Sequence, residues 1–92
     1  MFARLATFAS SPPVLPDDVR RTESLRALVR SQPGFRAGYH LRQPTTGRML
    51  SLTVWESEEA MKAAGRAVAS RPQEDQRGIT PESSETWEVE EF

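Results

Sequence analysis

Ninety-two residues make one small domain, 1–92, near the lower limit of what a single core stabilises, so association of chains is the expected supplement. The absence of cysteine rules out disulfides and thiolate metal sites. Twelve basic against thirteen acidic residues, a net charge of −1, argue against nucleic acid, whose phosphates require a basic patch. No apolar run reaches the roughly 20 residues of a membrane span. The opening Met1-Phe2-Ala3-Arg4 lacks the charged head and long apolar core of a signal peptide, so a soluble, cytoplasmic chain is expected, with no membrane partner.

Phe2, Arg4, Ala6 and Phe8 alternate with Ala3, Leu5, Thr7 and Ala9, the period of a strand. Ser10-Ser11-Pro12-Pro13 ends it, because proline cannot donate to a ladder. Leu15-Pro16-Asp17-Asp18 reads as a helix start, with Pro in the first turn and carboxylates near the positive end of the dipole. Leu15, Thr22, Leu25, Leu28 and Val29 share one side of a 3.6-residue wheel, with Val19 on the flank. The helix should end near Ser31, since Gln32 precedes Pro33 and the residue before proline avoids the helical region.

A hairpin follows. Phe35, Ala37, Tyr39 and Leu41 alternate with Arg36, Gly38, His40 and Arg42; Leu50, Leu52 and Val54 alternate with Met49, Ser51, Thr53 and Trp55. Pro44-Thr45-Thr46-Gly47 supplies the turn, with Gly47 free to take a positive φ. Pairing Gln43 with Arg48 sets Leu41 against Leu50, Tyr39 against Leu52 and Ala37 against Val54, one apolar face. The other face then pairs Arg42 with Met49, His40 with Ser51, Gly38 with Thr53 and Arg36 with Trp55. Ser57 is a helix N-cap ahead of Glu58 and Glu59. Ala60, Met61, Ala64, Ala67 and Val68 form the next helix's stripe, ending near Ser70, with Glu58 and Lys62 four apart outside it. An extra helical turn over 72–76 is expected, then a last strand over Thr86–Phe92 with Trp87 and Val89 on one face.

The order strand, helix, strand, strand, helix, strand predicts an α+β, ferredoxin-like βαββαβ fold: a four-stranded antiparallel sheet with two helices on one face. The helices are expected over the apolar face of Tyr39, Leu41, Leu50, Leu52 and Val54. A second copy of the chain is then expected to cover the face of Arg36, His40, Met49 and Trp55, whose apolar members are poorly left in water.

Pro33-Gly34-Phe35 leading into the second strand, Trp55-Glu56-Ser57 at the end of the third, and the acidic, alanine-rich Glu58-Glu59-Ala60 carry a resemblance. They are similar to the antibiotic biosynthesis monooxygenase-like proteins of the dimeric α+β barrel superfamily. The resemblance implies a homodimer that binds a hydrophobic or aromatic metabolite, with cofactor-free oxygenation as one activity. A non-catalytic ligand-binding or stress-associated dimer, or an isomerase or cyclase, are the alternatives. The heme-degrading branch uses an Asn on its first strand, a Trp in its second helix and a later His. This chain has no Asn, carries Ala63, Ala64 and Gly65 in that helix and has no His after His40. Heme degradation is therefore not expected, nor is any cofactor or metal.

Six residues are candidates for the site. His40 is the only histidine and the only side chain whose ordinary pKa lies near neutrality, so it is the candidate base; a polar position in the subunit interface is the reading favoured over catalysis. Tyr39 offers a phenol to a cavity between sheet and helices, or packs as a core aromatic. Trp55, Ser51, Thr53 and Arg36 are candidate ligand contacts. Trp55 equally reads as a packed aromatic beside Gly38 with a cation–π contact to Arg36. Ser51 and Thr53 form no triad with His40, because no acid is placed to orient the imidazole.

Overall fold

A computed structural model describes residues 1–8, 16–72 and 83–92, with the backbone alone at 16–19 and 21. The expected turn at 10–13 and the extra helical turn over 72–76 lie outside the described residues, apart from Arg71 and Pro72 at its approach. The elements are β1 (Phe2–Phe8), α1 (Pro16–Ser31), β2 (Phe35–Arg42), β3 (Met49–Trp55), α2 (Glu58–Ala69) and β4 (Ser83–Glu88). The strands form one antiparallel sheet in the order β2-β3-β1-β4. This is the ferredoxin-like α+β architecture expected from the element order.

Local signals act where they were read. The hairpin closes with Gln43 N–H donating to the Arg48 carbonyl at 2.9 Å, and Gly47 takes φ +73° with open space around it. Ser57 caps α2, its hydroxyl accepting from the Ala60 N–H at 3.1 Å. Glu58 and Lys62 pair at 2.9 Å along its outer side. Met61 and Ala64 are buried, with Ala60, Ala67 and Val68 half-buried, so the predicted stripe of α2 is its inner face. Thr22, Leu25, Leu28 and Val29 of α1 are likewise half-buried. The last strand begins three residues earlier than expected. Ser83–Thr86 pair with Arg4–Thr7, Trp87 and Glu88 with Ala3 and Phe2, and the ladder runs out beside Met1, whose carbonyl still accepts from Val89 N–H.

The side of the sheet that the helices cover differs from the expectation. Trp55, Met61 and Ala64 form the buried cluster, with Phe2, Val29, Phe35 and Ala60 packed around it. Trp55 belongs to the mixed face, so the helices cover that face and leave the aliphatic one open. A bulge at Arg36 adds a third ring to that face. The ladder pairs Phe35 with Trp55 and then Ala37 with Val54, and the extra residue turns Phe35 to the opposite side from Ala37, out of the period-two pattern. Phe35 then meets Trp55 edge to face, ring centroids 5.4 Å apart. The cation–π partner expected at this position, Arg36, is displaced and instead approaches Glu56 at 3.9 Å. Gly34 makes the preceding turn possible. It holds φ +85°, and a Cβ there would lie 2.6 Å from the Ala60 Cβ.

Candidate active site on the helix side of the sheet

The register arranges the helix-side face in rows across β2, β3, β1 and β4. The first row is aromatic: Phe35, Trp55 and Phe2, ending at Glu88. The second is Gly38, Thr53, Arg4 and Thr86; the third is His40, Ser51, Ala6 and Ser84; the fourth is Arg42, Met49 and Phe8. The first row and the inner face of α2 plug one end of the layer. Beyond it, the second and third rows are mostly small side chains, and the facing residues of α2, Ala64 and Gly65, are small as well. Arg4 and His40 are the two long polar groups that rise from this band.

His40, Ser51, Thr53 and Trp55, four of the six predicted site residues, therefore share the helix side. Trp55 is 2% exposed and its Nε1–H donates to Thr53 Oγ1 at 3.0 Å, so it forms the inner wall and orients its neighbour. His40 is exposed on the edge strand β2, opposite Ser51, on the face that a second copy was expected to cover and that the helices take instead.

Tyr39 and Arg36 are placed elsewhere. Tyr39 is 56% exposed on the open face, paired with Leu52, and a side chain there cannot enter a cavity between sheet and helices. Strand alternation is the cause: neighbouring residues on β2 point to opposite sides. Tyr39 and Arg36, with Ala37, Val54, Val89 and Phe92, border a shallow hollow of about 450 Å³ on the open face. That hollow is wide open to solvent, so it makes a poorer ligand site than the polar band.

Arg4 also rises from this band, although period-two alternation alone marks it only as one more polar strand position. Its Nε donates to Ser84 Oγ at 2.7 Å, and a Cβ on Gly65 would come within 3.3 Å of its Nη1. The guanidinium is thus held under α2 in the space that glycine leaves. Among the described residues no group of three or more His, Cys, Asp or Glu side chains is arranged to hold a metal ion, and no helix is long and apolar enough to cross a membrane.

A model of the family described as antibiotic biosynthesis monooxygenase matches residues 1–71. Among solved structures the chain is similar to a heme-degrading protein from Mycobacterium tuberculosis, at 23% identity, over 96% of this chain and 92% of that one, with a TM-score of 0.59. It is also similar to a point variant of SnoaB, a cofactor-independent oxygenase from Streptomyces nogalater, at 17% identity, over 99% and 92% of the two chains, with a TM-score of 0.66. At these identities the likeness establishes a common fold. Among curated proteins nothing matches the chain.

Proposed function

This chain belongs to the antibiotic biosynthesis monooxygenase family, and from that premise we propose that it is a homodimer that binds a hydrophobic or aromatic metabolite on the helix side of its sheet and oxygenates it without metal or flavin. The observation that carries this reading is the division of labour between the two faces. His40, Ser51 and Thr53 stand together on the helix side, while Leu50, Leu52, Val54, Leu41 and Tyr39 are left for a second copy to cover.

The chemistry asks little of the protein beyond a base, orientation and exclusion of water. His40 takes a proton from a methylene activated by a neighbouring ring and carbonyl. The resulting carbanion, delocalised as an enolate, gives one electron to O₂, and the two radicals combine to a peroxide that recovers the proton from His40. Loss of water leaves a carbonyl, so that CH₂ and O₂ become C=O and H₂O. Ser51 and Thr53 hydroxyls hold the substrate oxygens in place.

A second reading, a ligand-binding dimer without turnover, is favoured by one feature: among the described residues no side chain hydrogen-bonds His40 to orient it. Incubation with an anthrone, which carries such a methylene, separates the two. Oxygen uptake of about one O₂ per quinone formed, above the rate of autoxidation and insensitive to chelators, supports the oxygenase; binding without uptake supports the alternative. A heme titration runs beside it. No sharp Soret shift is expected, and a shift at one heme per chain with turnover under reductant would place this chain with the heme-degrading proteins instead.

A further inference from the structure

We propose that Arg4 and Thr53 form a receiver for an anionic oxygen, so that the ligand of the helix-side site is a flat acid, a phenolate, enolate or carboxylate, and not a neutral hydrocarbon. This rests on the helix-side site proposed above. Arg4 and Thr53 are cross-strand partners on β1 and β3, which sets their Cα atoms about 5 Å apart with side chains on the same face. Arg4 spends its Nε–H on Ser84, which leaves the four N–H groups of its two terminal nitrogens. Among the described residues no carboxylate lies within ion-pair distance of it; Glu23, Glu56 and Glu58 pair instead with Arg26, Arg36 and Lys62. Thr53 accepts the indole N–H of the buried Trp55, so its own O–H remains to donate.

Arg4 and Thr53 therefore present donors, and a half-buried cation with no counter-charge among the described residues favours an anion. The ring of Phe35 lies over Gly38, within 3.3 Å of where a Cβ would stand, and gives an aromatic flank beside Thr53. From Arg4 to His40 is two strands across and one pleat along, about 12 Å between Cα atoms, a distance that a flat fused-ring molecule bridges. The anionic oxygen is held at Arg4 while the far end of the ring system reaches His40. Ser84 is a positioning residue that fixes the guanidinium.

The test uses the full chain and two probes of the same shape, 1-hydroxy-2-naphthoate and its methyl ester, with affinities from calorimetry. Wild type is expected to bind the acid about tenfold or more tightly than the ester, the scale of one charge-assisted hydrogen bond. Arg4→Gln should erase that preference by lowering acid affinity far more than ester affinity, Arg4→Lys should restore part of it, and Ser84→Ala should weaken it less than Arg4→Gln. Equal binding of acid and ester to wild type overturns the receiver while leaving the helix-side site standing. So does an Arg4→Gln chain that keeps the preference, or one that loses both probes alike. Binding of neither probe to wild type overturns the site itself.

Discussion

The two faces of this sheet are built from the same strands and meet opposite fates. The helix side carries three aromatics in one row and then a polar band, and it is covered by α1 and α2. The other side carries Leu5, Leu50, Leu52 and Val54, half-buried, with Tyr39, Leu41 and Trp87 at 56%, 42% and 52% exposure, and among the described residues no helix lies over it. The face richer in aliphatic side chains is thus the one left open. Apolar content does not decide which side a helix takes; shape does. Two narrow helices fit over a row of large rings at one end and leave room at the other. A flat aliphatic surface is complementary to a second sheet, and sheets pack about 10 Å apart face to face.

The comparison is tested most severely at Trp55. Truncation to Ala removes the centre of the helix-side cluster and leaves the Thr53 hydroxyl without its donor; a loss of about 3–5 kcal/mol is expected, read by urea denaturation. A loss below about 1 kcal/mol would mean that the helix side is not the core.

The open face is broken by charge. The wild-type chain is expected to run at twice its 10.3 kDa mass by light scattering at micromolar concentration. Leu52→Glu should weaken the dimer by about 100-fold or more, because a carboxylate would be buried without a partner. A wild-type chain that stays monomeric, or a Leu52→Glu dimer of unchanged affinity, removes the open face as the interface.

Gly34 tests the junction that feeds β2 to the helix side. Gly34→Ala must place a side chain at positive φ against Ala60, a cost of about 2 kcal/mol. Adding Ala60→Gly should recover the part due to contact and not the part due to backbone strain. Full recovery, or no recovery, would contradict the geometry.

The smallest effect on stability is expected at His40, which is exposed and lies off the open face. His40→Ala should leave melting and dimer affinity within about 0.5 kcal/mol of wild type, while oxygenase turnover falls by about 100-fold. A weakened dimer with turnover lost only in proportion would return His40 to the interface.

Much of this fold could be read from residues close together in the chain. The Gln43–Arg48 closure, the pairing of Tyr39 with Leu52 and His40 with Ser51, the Ser57 cap and the Glu58–Lys62 pair all depend on contacts within one hairpin or one helical turn. The site was legible in part. His40, Ser51, Thr53 and Trp55 share a face as expected, whereas Tyr39 and Arg36 do not join them. Arg4 went unnoticed because nothing in β1 alone distinguishes it.

Alternation along each strand determined which side chains share a face, and turn and cap residues determined where each element begins and ends, because those choices are made by backbone geometry over a few residues. Only the tertiary structure decided which face the helices cover, since that is a choice between packing partners distant in sequence. It also decided the bulge at Arg36 that sends Phe35 to Trp55. And it brought Arg4 of β1, Thr53 of β3, Gly65 of α2 and Ser84 of β4 into one neighbourhood, a meeting of four elements that no local pattern encodes.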